Sequence, residues 1–301
     1  MKDYVILTDS CSDLDKADRA KYNIEYIKMH FTCEGLESEA DLDWGKVSFA
    51  DFYSVMRAGN RIVTSQVNAL EYKKVFEEIV AKGYDILYLG CSSALSSSVK
   101  ASYVARDEVM KNNPNAKIVC IDTLNACLGL GILCMVASEQ RAKGKSIDEV
   151  ATWIEKNKKF MHQEATVEKL TWLKMAGRVS ATSAFFGGLL NIKPIIICDV
   201  NGANVAVEKV KGRKNSFEKI AQRFKENYAD CEYQKLYIVH GDCEQDAIEL
   251  KNEVEKVIPE NLKGIEIQIR PLGPIIGASC GPGTLGLYYF GSEVTYDGSK
   301  A

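Results

Sequence analysis

The chain has 301 residues, enough for two domains with separate cores. Its hydrophobic content of 46% and charged content of 26% exclude a disordered chain and a coiled coil. A net charge of −3, with both signs interspersed, gives no field to attract nucleic acid.

In chain order, Tyr4-Val5-Ile6-Leu7 predicts a short strand that runs into Thr8-Asp9-Ser10-Cys11-Ser12-Asp13-Leu14, a cluster of small hydroxyls and carboxylates. Arg61-Ile62-Val63 leads in the same way to Thr64-Ser65-Gln66. From Asn68 or Ala69 to Lys82 the pattern is helical, with Leu70, Val75, Phe76 and Ile79 on one face. Ile86-Leu87-Tyr88-Leu89-Gly90 is a buried strand ending in Cys91-Ser92-Ser93-Ala94-Leu95-Ser96-Ser97-Ser98. A helix over 98–112, a strand over 117–121, a helix over 125–143 and another opening at Ser146 follow. Strands alternating with helices predict a doubly wound, mainly parallel sheet for residues 1–163.

After residue 163 the pattern changes to a mixed α+β domain over 164–301. Thr166–Leu170 and Lys193–Cys198 read as strands, and Asn201-Gly202 is a hairpin signal before a strand over 205–210. Helices are predicted over 217–228 and 245–258, and strands over 235–240 and 265–269. Ile275-Ile276 reads as the end of a strand entering a glycine-dense turn with Ser279, Cys280 and Thr284.

Three times an apolar run ends in hydroxyl residues just before a helix. In an open α/β sheet, ligands sit beyond the carboxyl ends of the strands, where helix N-termini offer free amides. One serine cluster is ordinarily a helix cap; three at equivalent places point to a site for a small anionic head. Arg178, in a loop after Gly177, is a candidate clamp for a carboxylate or phosphate. Phe185, Phe186, Leu189, Leu190 and Ile192 are candidate apolar lining, with a core helix as the plain alternative. Lys209, Lys211, Arg213 and Lys214 read as a solvated loop or a contact for an acidic partner.

Other chemistry finds little support. The ten cysteines include no Cys-x-x-Cys pair and no metal spacing with the three histidines, so no metal or other cofactor is expected. No Walker loop or Gly-x-Gly-x-x-Gly follows the first strand. No Ser-His-Asp set can be assembled; His240 reads as structural and His162 as exposed. The longest apolar stretch, around 126–137, is too short and glycine-broken to span a bilayer, and Met1-Lys2-Asp3 leads directly into a strand without a signal-peptide pattern. A cytoplasmic protein is expected.

Taken together, the motifs resemble the DegV family of fatty-acid-binding proteins, which includes the B subunit of bacterial fatty acid kinase. The resemblance covers nearly the whole chain. It rests on Thr8-Asp9-Ser10 with Asp13-Leu14, Thr64-Ser65-Gln66, Ser92-Ser93-Ala94-Leu95-Ser96, Asp122-Thr123 and Gly177-Arg178-Val179-Ser180. Asn191-Ile192-Lys193-Pro194, Asn201-Gly202 and the Gly281–Gly286 run continue it. It implies a two-domain α/β fold with a long-chain fatty acid between the domains. Thr8, Ser10, Thr64, Ser65, Ser93 and Ser96 are then the carboxylate-binding set, with Arg178, Ser279 and Cys280 completing the expected site. A separate fatty acid kinase catalytic subunit is the implied partner.

The chain also departs from the family pattern. Ser279 stands where the family usually has histidine, and Cys280 where it has threonine. Val67-Asn68 replaces Pro-Ser, while Ser97 and Ala176 each replace a glycine, adding a Cβ expected to narrow the site or reshape its loops. The reading is therefore a fatty-acid-binding protein that is not itself an enzyme. The alternatives are a small acyl or phosphoryl transferase using Ser96 or Ser279 as nucleophile, for which no adjacent base can be named, and a regulatory protein with a vestigial pocket.

Overall fold

A computed structural model describes residues 3–180 and 191–298. The expected lining residues Phe185, Phe186, Leu189 and Leu190 lie outside these described residues.

The first sheet is fully parallel. Its spatial order is Ile24–Ile27, Tyr4–Asp9, Asp85–Gly90 and Ile118–Asp122. The chain winds outward from Tyr4–Asp9 in one direction and from Asp85–Gly90 in the other, so the topological switch point lies between these two strands. Asp85–Gly90 is buried along its whole length, as a central parallel strand must be. Helices Ala69–Ala81 and Ser98–Asn112 pack against each other over this sheet, and Cys127–Ala142 pairs with Ile147–Asn157. Asn68 caps the first of these: its side chain accepts from the amides of Leu70 and Glu71, and Glu71 accepts from the Asn68 amide. Asparagine thus keeps the capping role although it stands in an unusual place. Leu70, expected on the buried face, is 76% exposed; Tyr72, Phe76 and Ile79 carry that face instead.

A small antiparallel sheet of Leu36–Glu39, His30–Cys33 and Val63–Ser65 sits beside the parallel one. It delivers Thr64 and Ser65 to the site.

The second sheet has six strands, in the order Asn204–Lys211, Ile192–Cys198, Met161–Thr166, Leu285–Phe290, Leu236–His240 and Ile267–Pro271. All neighbours are antiparallel except the last two, which are parallel. The Asn201-Gly202 signal does mark a hairpin, closed by the Asp199 carboxylate accepting from the amides of Asn201 and Ala203. Gly202 has φ +80°, and a Cβ there would collide with the Ser92 hydroxyl, which donates to the Gly202 carbonyl at 2.8 Å. That contact pins the hairpin to the end of Asp85–Gly90.

Helices Arg213–Asn227 and Glu244–Glu255 cover one face of this sheet with Phe217, Ile220, Phe224, Leu250 and Val254. Strand alternation sends neighbouring residues of Met161–Thr166 to opposite faces. Glu164 bonds Arg223 of the covering helix, while Gln163 and Ala165 face the parallel sheet.

Several expectations need correction. The strand near 166 is Met161–Thr166 rather than Thr166–Leu170, and residues 171–176 form a helix. The division expected at 163 falls inside this strand. Ile275 and Ile276 lie in a helix, Pro274–Cys280, not at a strand end; Pro274 occupies its first turn, where a missing N–H costs nothing. His162, expected exposed, is buried, stacked on Tyr289 with Nε2 2.7 Å from the Ser292 carbonyl. His240 is structural as read: buried, with Nδ1 accepting from the Cys243 amide.

Candidate ligand cavity

A cavity of about 360 Å³ lies between the two sheets, at the carboxyl ends of Tyr4–Asp9 and Asp85–Gly90. Its walls come from both halves of the chain. Asp9 organises the first wall. Its Oδ1 accepts from the Cys11 amide at 2.9 Å, and its Oδ2 accepts from the Tyr88 hydroxyl at 2.7 Å and the Cys91 amide at 3.2 Å. One fully buried carboxyl thus ties together the two loops that flank the switch point. Burial pushes its pKa up.

Of the nine expected site residues, the structure brings six to the cavity: Thr64, Ser65, Ser96, Arg178, Ser279 and Cys280. The Arg178 guanidinium donates to the carbonyls of Leu95 and Ala176, which steadies it across the gap between the halves. Ser96 Oγ accepts from the Ser98 amide at 3.3 Å, and Ser279 Oγ donates to the Ile275 carbonyl at 3.3 Å. Burial pushes the Cys280 thiol up to about 12, so it is a space-filling thiol and a poor nucleophile at neutral pH.

The other three lie behind the wall. Thr8 is fully buried and donates to the Leu89 carbonyl at 2.9 Å. Ser10 donates to the Ala40 carbonyl at 2.7 Å and accepts from the Met29 amide at 3.0 Å. Ser93 presents its amide to the Asp122 carboxylate. None of the three is a lining residue. Ser97 and Ala176 do not line the cavity either, and Ser97 has an ordinary φ of −77°, so neither added Cβ narrows it.

Polarity is graded across the lining. Ser65, Gln66 and Arg178 are exposed and Thr64, Ser96 and Ser279 half-buried, whereas Val167, Leu173, Val239, Leu272, Ile275 and Leu285 are buried. The result is an apolar interior reached past a rim of hydroxyls and one guanidinium. A second polar group was missed in the sequence. Tyr288 donates to Gln163 Oε1 at 3.2 Å, and Gln163 Nε2 donates to Asn204 Oδ1 at 2.9 Å.

Gly277-Ala278-Ser279-Cys280-Gly281 spells the Gly-x-Ser-x-Gly of a nucleophile elbow. The geometry is not that of an elbow, which needs a sharp strand-to-helix turn and a histidine in reach. Ser279 is near the end of a short helix, and no histidine lines the cavity among the described residues. No metal-holding group of His, Cys, Asp and Glu gathers there either.

Residues 3–292 match the family model described as uncharacterised protein, DegV family. The chain belongs to the DegV family. A DegV domain-containing protein of Clostridium perfringens is 36% identical over 291 residues, covering 97% of this chain and 98% of the relative. Among solved structures, a DegV lipid binding protein from Thermotoga maritima superposes with a TM-score of 0.83 at 26% identity, covering 97% of this chain and all of that one. A fatty-acid-binding DegV family protein from Thermus thermophilus matches with a TM-score of 0.82 at 25% identity, over 97% and 100% of the two chains. The DegV fold thus extends over both sheets, the cavity and all six of its expected residues. Among the described residues, no helix is long and apolar enough to cross a membrane.

Proposed function

We propose that the protein binds a long-chain fatty acid in this cavity and is not itself an enzyme. The carboxylate sits at the rim, with Thr64, Ser65, Ser96, Ser279 and Arg178 as its donors, and the acyl chain lies against the apolar interior. The graded lining is the observation that carries this reading, and the fatty-acid-binding description of the Thermus thermophilus neighbour agrees with it. Burying about 14 methylenes contributes on the order of 11 kcal/mol before the costs of ordering, so the head group needs only enough hydrogen bonds to fix polarity and register. Ten free thiols fit a reducing compartment, and we place the protein in the cytoplasm.

Thr64→Ala and Ser96→Ala are each expected to weaken fatty acid binding by roughly 1–3 kcal/mol, because a charged acceptor loses a donor. Titration calorimetry with a long-chain fatty acid measures this. Wild-type affinity in both variants moves the carboxylate elsewhere.

We further propose that the bound carboxylate is presented to a separate fatty acid kinase catalytic subunit. Serine at 279 can donate a hydrogen bond, but it cannot hold a positive charge or relay a proton near neutral pH as imidazole can. The wild type is therefore expected to be a weak presenting subunit. Ser279→His should raise acyl-phosphate formation about tenfold or more with a kinase subunit from the same organism, while affinity changes less. Equal acyl-phosphate yields from the two proteins would remove this role for position 279. Transfer by Ser96 or Ser279 as a nucleophile gains nothing from the geometry, since neither hydroxyl is paired with a base.

A further inference from the structure

The face of the six-stranded sheet that floors the cavity carries two rows of residues running across its strands. One row is apolar. Ala165 pairs with Gly286 on one side and with Ile196 on the other, and Ile196 pairs with Ala206. Two residues further along the strands, the other row is polar. Gln163 pairs with Tyr288, and Asn204 stands two strands away, opposite Cys198. Side chains two apart on a strand share a face, so Gln163, Asn204 and Tyr288 line the cavity beside Ala165, Ile196 and Gly286. Hydrogen bonds join the polar row from the rim inward. Asn204 Nδ2 donates to the Arg178 carbonyl at 3.1 Å, Gln163 Nε2 donates to Asn204 Oδ1 at 2.9 Å, and the Tyr288 hydroxyl donates to Gln163 Oε1 at 3.2 Å. Tyr288 is only 4% exposed, so the row reaches the enclosed interior. Gln163 keeps a second amide hydrogen and a second oxygen lone pair, and neither is bonded among the described residues.

We propose that the cavity selects a long-chain fatty acid carrying a mid-chain hydroxyl, with Gln163 as the specificity-determining residue. This deepens the fatty acid reading above and rests on it. An acyl chain that enters beside Arg178 and lies along the apolar row runs parallel to the polar one. Gln163 is two strand spacings, about 10 Å, in from the Asn204 edge, so it meets the middle of the chain and not its head. Unsubstituted methylenes there strip water from the spare hydrogen and lone pair of Gln163 and return nothing. A chain hydroxyl both donates to Oε1 and accepts from Nε2, and so satisfies the two at once. Tyr288 and Asn204 hold opposite ends of the amide, which fixes its orientation before the ligand arrives. A site built to hydrogen-bond a ligand hydroxyl discriminates strongly against the analogue that lacks it.

The test is titration calorimetry of the delipidated protein with ricinoleate and with oleate, two acids that differ by one mid-chain hydroxyl. Ricinoleate should bind at least about tenfold more tightly. Gln163→Met keeps a side chain of similar length without the amide, and should abolish the preference by weakening ricinoleate and not oleate. Tyr288→Phe releases one end of the amide and should reduce the preference. Thr64→Ala, at the head group, should weaken both acids alike and leave their ratio unchanged. Circular dichroism of each variant separates loss of selectivity from loss of the fold. Oleate bound as tightly as ricinoleate by the wild type overturns the inference and leaves fatty acid binding standing, because water or the internal bonds then satisfy the row. A full preference in folded Gln163→Met overturns the role of Gln163. Binding of neither acid takes the fatty acid reading down with it.

Discussion

Ala165→Trp is expected to weaken fatty acid binding at least about 100-fold while leaving the protein folded. Ala165 is near the carboxyl end of Met161–Thr166, paired with Gly286 on one side and Ile196 on the other, and its side chain faces the cavity. An indole there projects into space that the acyl chain needs. The indole is far bulkier than the methyl it replaces, so it takes up much of a cavity of about 360 Å³. Excluding about five methylenes removes on the order of 4 kcal/mol of binding energy. The fold should survive because the new ring enters a void and not the packed face against Arg213–Asn227. Fluorescence displacement of a bound fatty acid analogue, with thermal unfolding alongside, measures both effects. A folded variant with wild-type affinity would show that the chain lies elsewhere.

The second large effect concerns Asp13, which lies just behind the cavity. Its Oδ1 accepts from the Gly273 amide at 3.1 Å, while its Oδ2 is buried without a partner. Burial pushes its pKa from 3.8 up to about 7. The folded state therefore holds this proton more tightly than the unfolded state. The contribution is fully present below about pH 4 and is lost as pH rises towards 7. A shift of about three units corresponds to on the order of 4 kcal/mol. Asp13→Asn removes the titration, and its Oδ1 can still accept from Gly273. The variant should gain stability relative to wild type steadily between pH 4 and 8. Urea midpoints across that range test it, and comparison with wild type cancels the titration of other buried groups such as Glu164. A difference that stays constant with pH would mean that Asp13 ionises as it does in water.

Much of the fold is legible because its elements carry strong local signals. Three of the four parallel strands carry apolar runs, whereas Ile24–Ile27 is broken by Glu25 and was not read; Asn68 and Ser146 open helices with capping boxes, and Asn201-Gly202 marks the hairpin. Ile275-Ile276 is a short apolar run whose period cannot separate helix from strand. Pro274 at the first helical position was the usable cue. The antiparallel sheet at 30–39 was not legible, since Leu36–Glu39 is short and largely exposed, with no alternation to read.

At the site, the positions of the hydroxyl clusters were legible, but the members that face the ligand space were not. Loop geometry decides that. Thr8 and Ser10 spend their hydroxyls on main-chain carbonyls, while the turn Ser10–Ser12 brings Cys11 to the cavity. Gln163, Asn204 and Tyr288 meet only through strand pairings far apart in sequence, which single-residue patterns do not report.

The most direct measurement is mass spectrometry of ligand extracted from the protein purified from a bacterial host, followed by adding fatty acids back to the stripped protein. A long-chain fatty acid, recovered near one per chain and rebound after stripping, is the predicted result. Repeated extractions without lipid, together with no binding on adding fatty acids back, would contradict the account.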